Sequence, residues 1–144
     1  MFVSDILKSK DSDVVTTGPD ETVGATAGLM NGRRIGAVVV VDVDGAVIGI
    51  ISERDVICGI ATKGDGVLNT PVRALMTADV VACTASETIA GIMKTMTAHR
   101  FRHMPVIEDG VLRGMISIGD VVKHRLEETE MEAQALRDYV FAAR

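Results

Sequence analysis

The sequence is written twice, and that constrains everything else it can do. Residues 38–56 read VVVVDVDGAVIGIISERDV, and residues 104–121 answer with MPVIEDGVLRGMISIGDV. Gly45, Gly49, Ser52 and Asp55 correspond to Gly110, Gly114, Ser117 and Asp120, each pair at one offset of 65 residues (45 to 110, 49 to 114, 52 to 117, 55 to 120). Upstream, Val14-Val15 and Pro19-Asp20-Glu21-Thr22-Val23 match Val80-Val81 and Ala85-Ser86-Glu87-Thr88-Ile89 at an offset of 66 (14 to 80, 23 to 89). Residues 3–7 match residues 72–76 at 69. The offset drops from 66 to 65 where VDVDG meets IEDG, inside a turn, and turns are where a structural repeat absorbs length changes. A fixed period means one unit used repeatedly, each copy burying a face against the next. Function is therefore expected in the pair and in the clefts between its halves.

A chain of 144 residues fits one compact domain or two half-domains sharing a core. Apolar residues make up 47% but aromatics only 3%, so the core must be aliphatic, with the eight methionines filling gaps. The start, MFVSDILKSKDSD, lacks the apolar stretch of a signal peptide, and no apolar run nears the ~18 residues of a membrane span. A cytoplasmic protein without a membrane partner is expected. Cys58 and Cys83 stand at no metal or redox spacing. A net charge of −5 without a basic block argues against a nucleic-acid surface. It leaves room for an anionic small ligand, since local arginines and helix N-termini make positive pockets in acidic proteins.

Each copy reads strand, helix, strand, turn, strand, helix. Val14–Thr17 predicts a short strand. Asp20 and Ser86 are the expected caps of the helices that follow, and Asn31-Gly32 an expected stop. Two apolar strands follow in each copy, joined through Asp44-Gly45 and Asp109-Gly110, with both faces expected to be buried. A second helix is predicted from about Glu53 to Ala61 and from Ile118 onward, and residues 63–66 read as a linker. Val122, Leu126, Thr129, Ala133, Leu136 and Val140 then step by heptad spacing. That stripe either covers the protein's own core or faces a partner.

Two segments carry candidate chemistry. Ser52-Glu53-Arg54-Asp55 and Ser117-Ile118-Gly119-Asp120 open helices. There, free N–H groups and the helix dipole favour phosphate, and the Asp suits paired sugar hydroxyls. The same Ser-x-x-Asp is equally a capping box, which uses both side chains internally. The second segment breaks the symmetry: aligning Ile35 with Phe101 sets Gly36-Ala37 opposite Arg102-His103. A guanidinium and an imidazole beside an apolar strand suit a phosphate and a flat ring. A solvated Arg and a strand-edge His is the plainer alternative. His99, His103 and His124 lie in no triad pattern, and HExxH, P-loop and GxGxxG motifs are absent, so no reaction is indicated.

With GIISERDV, GMISIGDVV, RFRHMPVIEDG and the PDETV/SETI helix starts in order, the chain resembles a cystathionine β-synthase (CBS) domain pair, or Bateman module, over residues 3–125. The resemblance implies an α+β fold of two βαββα repeats, residues 1–66 and 67–126, packed in pseudo-twofold symmetry, with 127–144 as a C-terminal helical extension. It implies a regulatory homodimer without catalytic cofactor, whose clefts take AMP, ADP, ATP, NAD or S-adenosylmethionine. Carried over, one site comprises Thr17, Gly18, Val23, Arg102, His103, Met104, Pro105, Ser117 and Asp120. The other comprises Ala37, Val38, Ser52, Arg54, Asp55, Thr84 and Ile89. Gly18 stands where many members have Ser or Thr, and Gly36-Ala37 lacks the basic pair. Because copy two alone supplies Arg102 and His103, its cleft is expected to bind a phosphorylated ligand more tightly. A ligand-independent interaction module docking through its last helix is the alternative.

Overall fold

A computed structural model describes residues 1–10 and 13–143. The first copy contains α1 (Val3–Ser9), β1 (Thr16–Thr17), α2 (Val23–Arg33), β2 (Ala37–Val41), β3 (Val47–Ser52) and α3 (Glu53–Lys63). Two short 3-10 turns, Asp65–Asn69 and Val72–Ala74, lead into the second copy. It contributes α4 (Ile89–His99), β4 (His103–Glu108), β5 (Val111–Ser117) and α5 (Ile118–Ala142). β2 pairs antiparallel with β3 and parallel with β1. β4 pairs antiparallel with β5, and a parallel bridge from Cys83 to Val106 stands where β1 does in the first copy.

The inner strand β2 is buried for most of its length, and β4 over Met104, Pro105 and Val106. β3 and β5 alternate buried with half-exposed residues, so one face of each outer strand meets solvent, contrary to the expectation from their apolar composition. The turns explain the change of offset. In the second copy Asp109 and Gly110 both take positive φ, 50° and 76°, the pairing a two-residue hairpin needs. In the first, the longer turn is organised by Asp42, whose Oδ1 accepts from the N–H groups of Asp44 and Ala46, with Gly45 at φ 81°.

The helix ends differ from the sequence reading. The caps of α2 and α4 are Thr22 and Thr88, which accept from the N–H groups of Ala25 and Gly91, and not Asp20 and Ser86. Asn31-Gly32 does not stop α2. The helix runs to Arg33 and closes on Arg34, in the left-handed region, whose N–H bonds back to Asn31 O, and Arg100 closes α4 in the same conformation. Residues 63–66 are no free linker, since they run from the end of α3 into the first 3-10 turn.

The opening segment of each copy packs on the other copy. Val3 and Ile6, both fully buried, join Ile89, Ile92, Met96, Met104, Ile116 and Val121 in one core. Val72, with Leu68, Leu75 and Met76 against it, joins Val23, Met30, Val38, Val40, Ile51 and Val56 in the other. Backbone bonds tie the exchanged pieces down: Val3 N–H donates to Glu87 O at 2.9 Å, and Val72 N–H to Glu21 O at 2.8 Å. Glycines make room for them. A Cβ at Gly114 would lie 2.5 Å from Leu7 Cδ2, and one at Gly49 2.6 Å from Met76 Sδ. Leu7 and Met76 occupy equivalent repeat positions, so each outer strand lacks a side chain where the exchanged segment crosses it.

α5 is one continuous helix of 25 residues, and the expected boundary at 126/127 falls inside it. Its first turns bury Val121 and His124. Beyond them Leu126, Met131, Leu136, Tyr139 and Val140 are exposed. The heptad stripe therefore does not cover this chain's own core.

Candidate functional site

Ser52 and Ser117 end β3 and β5 in extended geometry and cap α3 and α5. Both form complete capping boxes. Asp55 Oδ2 accepts from Ser52 N–H at 2.8 Å, and Asp120 Oδ2 from Ser117 N–H at 2.9 Å. The capping reading is thus realised in both copies. It occupies Oδ2 in each, and among the described residues no hydrogen bond reaches Oδ1 of either Asp. Capping and ligand binding are compatible uses of one carboxylate, which offers about four lone-pair sites.

Two cavities flank the contact between the copies, and they are unequal. The larger, about 820 Å³, lies between α2, α3 and the β4–β5 side, and is lined by Arg102, His103 and Ser117 together with Val14 and Val15. The smaller, about 210 Å³, is lined by Ser52, Arg54 and Asp55, with Pro105 and again Arg102 and His103. The basic pair is therefore shared, and the expectation that it serves the copy-two cleft alone is corrected. The reason is Gly36. A Cβ there would lie 3.0 Å from His103 Cε1 and Nε2, so the imidazole of one copy fills the space the glycine of the other leaves. Gly36 and His103, one alignment position apart in the two copies, thus meet in one contact, and His103 lines the cavities on both sides of it.

Other residues singled out in the sequence lie elsewhere. Ala37 lines the larger cavity and not the smaller. Val23, Val38, Met104 and Ile89 are core side chains. Thr17 is buried, its hydroxyl 3.2 Å from that of Thr26. Gly18 and Thr84 line neither cavity; Thr84 N–H instead donates to Glu87 Oε2 at 2.6 Å.

Lys10 was not foreseen. Its ammonium donates to Asp120 Oδ2 at 2.8 Å and to Met115 O at 2.9 Å, and its side chain lines the larger cavity. No local pattern marks it, because its partner lies 110 residues away. Arg34 also lines that cavity, and here a signal existed: its repeat mate Arg100 lines the smaller one. Burial pushes the Asp120 carboxyl up, but hydrogen bonds from Lys10 and from the Ser117 backbone outweigh it and hold the group below the usual carboxylate range. His103 is held below the usual imidazole value, first by burial and then by the neighbouring Arg102 charge, against the pull of Glu53. At neutral pH it presents a neutral ring to both cavities. Burial, with Glu87 nearby, pushes the Cys83 thiol up to about 12, which makes it inert as a nucleophile. Among the described residues no cluster of His, Cys, Asp and Glu could hold a metal, and no helix is long and apolar enough to cross a membrane.

A doubled α+β unit with exchanged opening segments and two cavities at the contact between its copies is the architecture of a paired regulatory module. The chain belongs to the CBS domain family, whose pattern residues 3–62 and 72–127 match. It is 36% identical over 146 aligned positions to a mitochondrial CBS domain-containing protein of Arabidopsis thaliana, covering 96% of this chain and 71% of that one. A crystal structure of a CBS-domain containing protein from Agrobacterium tumefaciens superposes with a TM-score of 0.84 at 50% identity, covering 86% of this chain and 92% of that one. A CBS domain pair solved in complex with 5′-methylthioadenosine and S-adenosyl-L-methionine shares the fold, with a TM-score of 0.78 at 21% identity over 89% of this chain and 98% of that one. The α+β tandem architecture that the resemblance implies is the observed one.

Proposed function

We propose that this chain is a sensor that binds one adenosine-containing ligand in the larger cleft and does no chemistry on it. The observation that carries the reading is the size and lining of that cleft. About 820 Å³ falls inside the ~300–1,000 Å³ typical of small-molecule sites, whereas about 210 Å³ falls below that range. One wall is apolar, from Val14, Val15, Met30 and Val56, and suits a flat base. Asp120 is not itself part of the lining but bonds Lys10, which is; it suits a ribose diol, and Arg34 and Arg102 in the lining suit phosphate. The methylthioadenosine and S-adenosylmethionine complex of the distant CBS pair supports adenosine as the common element. Thermal-shift and calorimetric titration against AMP, ADP, ATP, NAD and S-adenosylmethionine tests this. A ligand present at 100 times its Kd stabilises by about 2.7 kcal/mol, with one site per chain expected. No shift with any of them, or steady ATP turnover, would overturn it.

A second reading concerns α5, and it adds to the first. The exposed Leu126, Leu136, Tyr139 and Val140 on one helix favour self-association of two chains. Light scattering across a concentration series is expected to give the mass of a homodimer. A strictly monomeric mass at high concentration would count against it.

A further inference from the structure

We infer that the α5 stripe is covered by the α5 of a second chain lying parallel and in register with it, so that two chains join through a short coiled coil of their C-terminal helices. The inference rests on the self-association read from that helix. Every described residue from Thr129 to Ala143 is exposed, so this part of α5 has no cover from its own chain. The residues that set the orientation include Glu130, Glu132 and Arg137. These lie beyond the residues that match the family pattern, so the pairing belongs to this chain's own extension.

Val122, Leu126, Thr129, Ala133, Leu136 and Val140 occupy the two core positions of a heptad. Leu126, Ala133 and Val140 form one row, and Val122, Thr129 and Leu136 the other. The one polar member is already satisfied. Thr129 Oγ1 donates to Arg125 O at 2.9 Å, so burying it orphans no donor. Beside the stripe stand Lys123, Glu130 and Arg137 on one flank and Arg125, Glu132 and Tyr139 on the other. Flanking positions of this kind meet the partner helix, and their charges decide orientation.

In a parallel pair in register, a residue of the second flank meets the first-flank residue five positions on (125 to 130, 132 to 137). Arg125 then faces Glu130 of the partner subunit, Glu132 faces Arg137 of the partner subunit, and the twofold axis repeats both pairs. Every such contact joins opposite charges, and the whole stripe is covered. Arg125 Nη1 also lies 3.4 Å from Glu128 Oε2 of its own helix, and Arg137 Nη2 donates to Gln134 Oε1. A guanidinium carries five N–H donors and serves both partners. An antiparallel pair that covers the whole stripe instead sets Glu130 against Glu130 of the partner subunit and Glu132 against Glu132 of the partner subunit. It also sets Lys123 against Arg137 of the partner subunit. Sliding the antiparallel helices by one heptad brings opposite charges together, but leaves either Val122 and Leu126 or Leu136 and Val140 uncovered.

Charge reversals in the full chain read the orientation. In analytical ultracentrifugation, Glu132→Arg and Arg137→Glu are each expected to weaken dimerisation by about tenfold, since each turns two symmetry-related attractions into repulsions. The double variant is expected to dimerise as the unaltered chain does, because the parallel pair re-forms with its signs exchanged. Residues 132 and 137 meet each other in neither slid antiparallel register. A double variant as weak as the single ones would therefore overturn the inference. A second measurement uses distance in place of charge. Leu136→Cys in a Cys58→Ser background is expected to give a disulfide-linked dimer under mild oxidation, because position 136 meets its own counterpart in the parallel pair. A dimeric mass without that cross-link would overturn the parallel arrangement and leave self-association standing. A monomeric mass for the unaltered chain at high concentration would overturn both.

Discussion

Asp120→Ala is expected to weaken adenosine-ligand binding at least tenfold, while Asp55→Ala leaves it nearly unchanged. The two residues are equivalent in the repeat and both close capping boxes, so each variant should lose about 1 kcal/mol of stability from its helix start. They differ in what else depends on them. Asp120 bonds Lys10, which lines the cavity of about 820 Å³, whereas Asp55 lines the one of about 210 Å³. The loss of a hydrogen-bonded carboxylate contact, roughly 1.5–3 kcal/mol, then appears as affinity in one variant only. The pH dependence reports the charged form of Asp120, on which both the Lys10 pair and the Ser117 cap act. The Asp120 carboxyl is held below its ordinary value, so its contribution is complete above the unfolded pKa of about 3.9. That contribution is lost as pH falls through the lower folded value. The stability difference between wild type and Asp120→Ala should accordingly be full at neutral pH and vanish in acid. Equal affinity losses for the two variants, or a larger loss for Asp55→Ala, would show that cavity size does not decide which cleft is used.

Ile6→Ala is expected to cost about 2–5 kcal/mol, the usual range for emptying a fully buried aliphatic site. The damage should appear in the second copy. Ile6 is completely buried among Ile89, Ile92, Met96 and Met104, although it precedes every strand of the first. Denaturant unfolding gives the magnitude. Native-state hydrogen exchange gives the location, with protection falling first in β4, β5 and α4. A loss below about 1 kcal/mol, the scale of an exposed site, or a loss of protection confined to β2 and β3, would contradict the exchanged packing.

The parts of the fold legible in the sequence are those set by neighbours a few residues apart. The strand–turn–strand succession of β2–β3 and β4–β5, the turn residues and the Ser52 and Ser117 caps all depend on local backbone chemistry. The parts that were not legible depend on the exchange of segments. Thr22 caps α2 because its backbone is held extended by a bridge to Pro71, and Thr88 caps α4 beside a bridge to Phe2. Asp20, the better cap by residue type, is instead paired with Arg73. Lys10 meets Asp120 only once the first segment has crossed to the second copy. Arg102 and His103 read as the property of one cleft because a sequence alignment cannot show that Gly36 leaves the ring open to both. The α5 stripe was visible as a pattern, but whether the pattern covered a core was a question of where the helix leaves the body of the fold.

The exchange of opening segments also orders events in time. Helix α1 leaves the ribosome well before its partners, from Cys83 to Val121, are made. At about 5–20 residues per second, the apolar face of Val3 and Ile6 waits roughly ten seconds for its site to exist. The segment around Val72 has no such wait, since the core it completes is already made when it emerges. The nascent chain therefore passes through a stage in which its first half is closed and its first helix is still unhoused. In that interval a short apolar helix face is what a chaperone would meet.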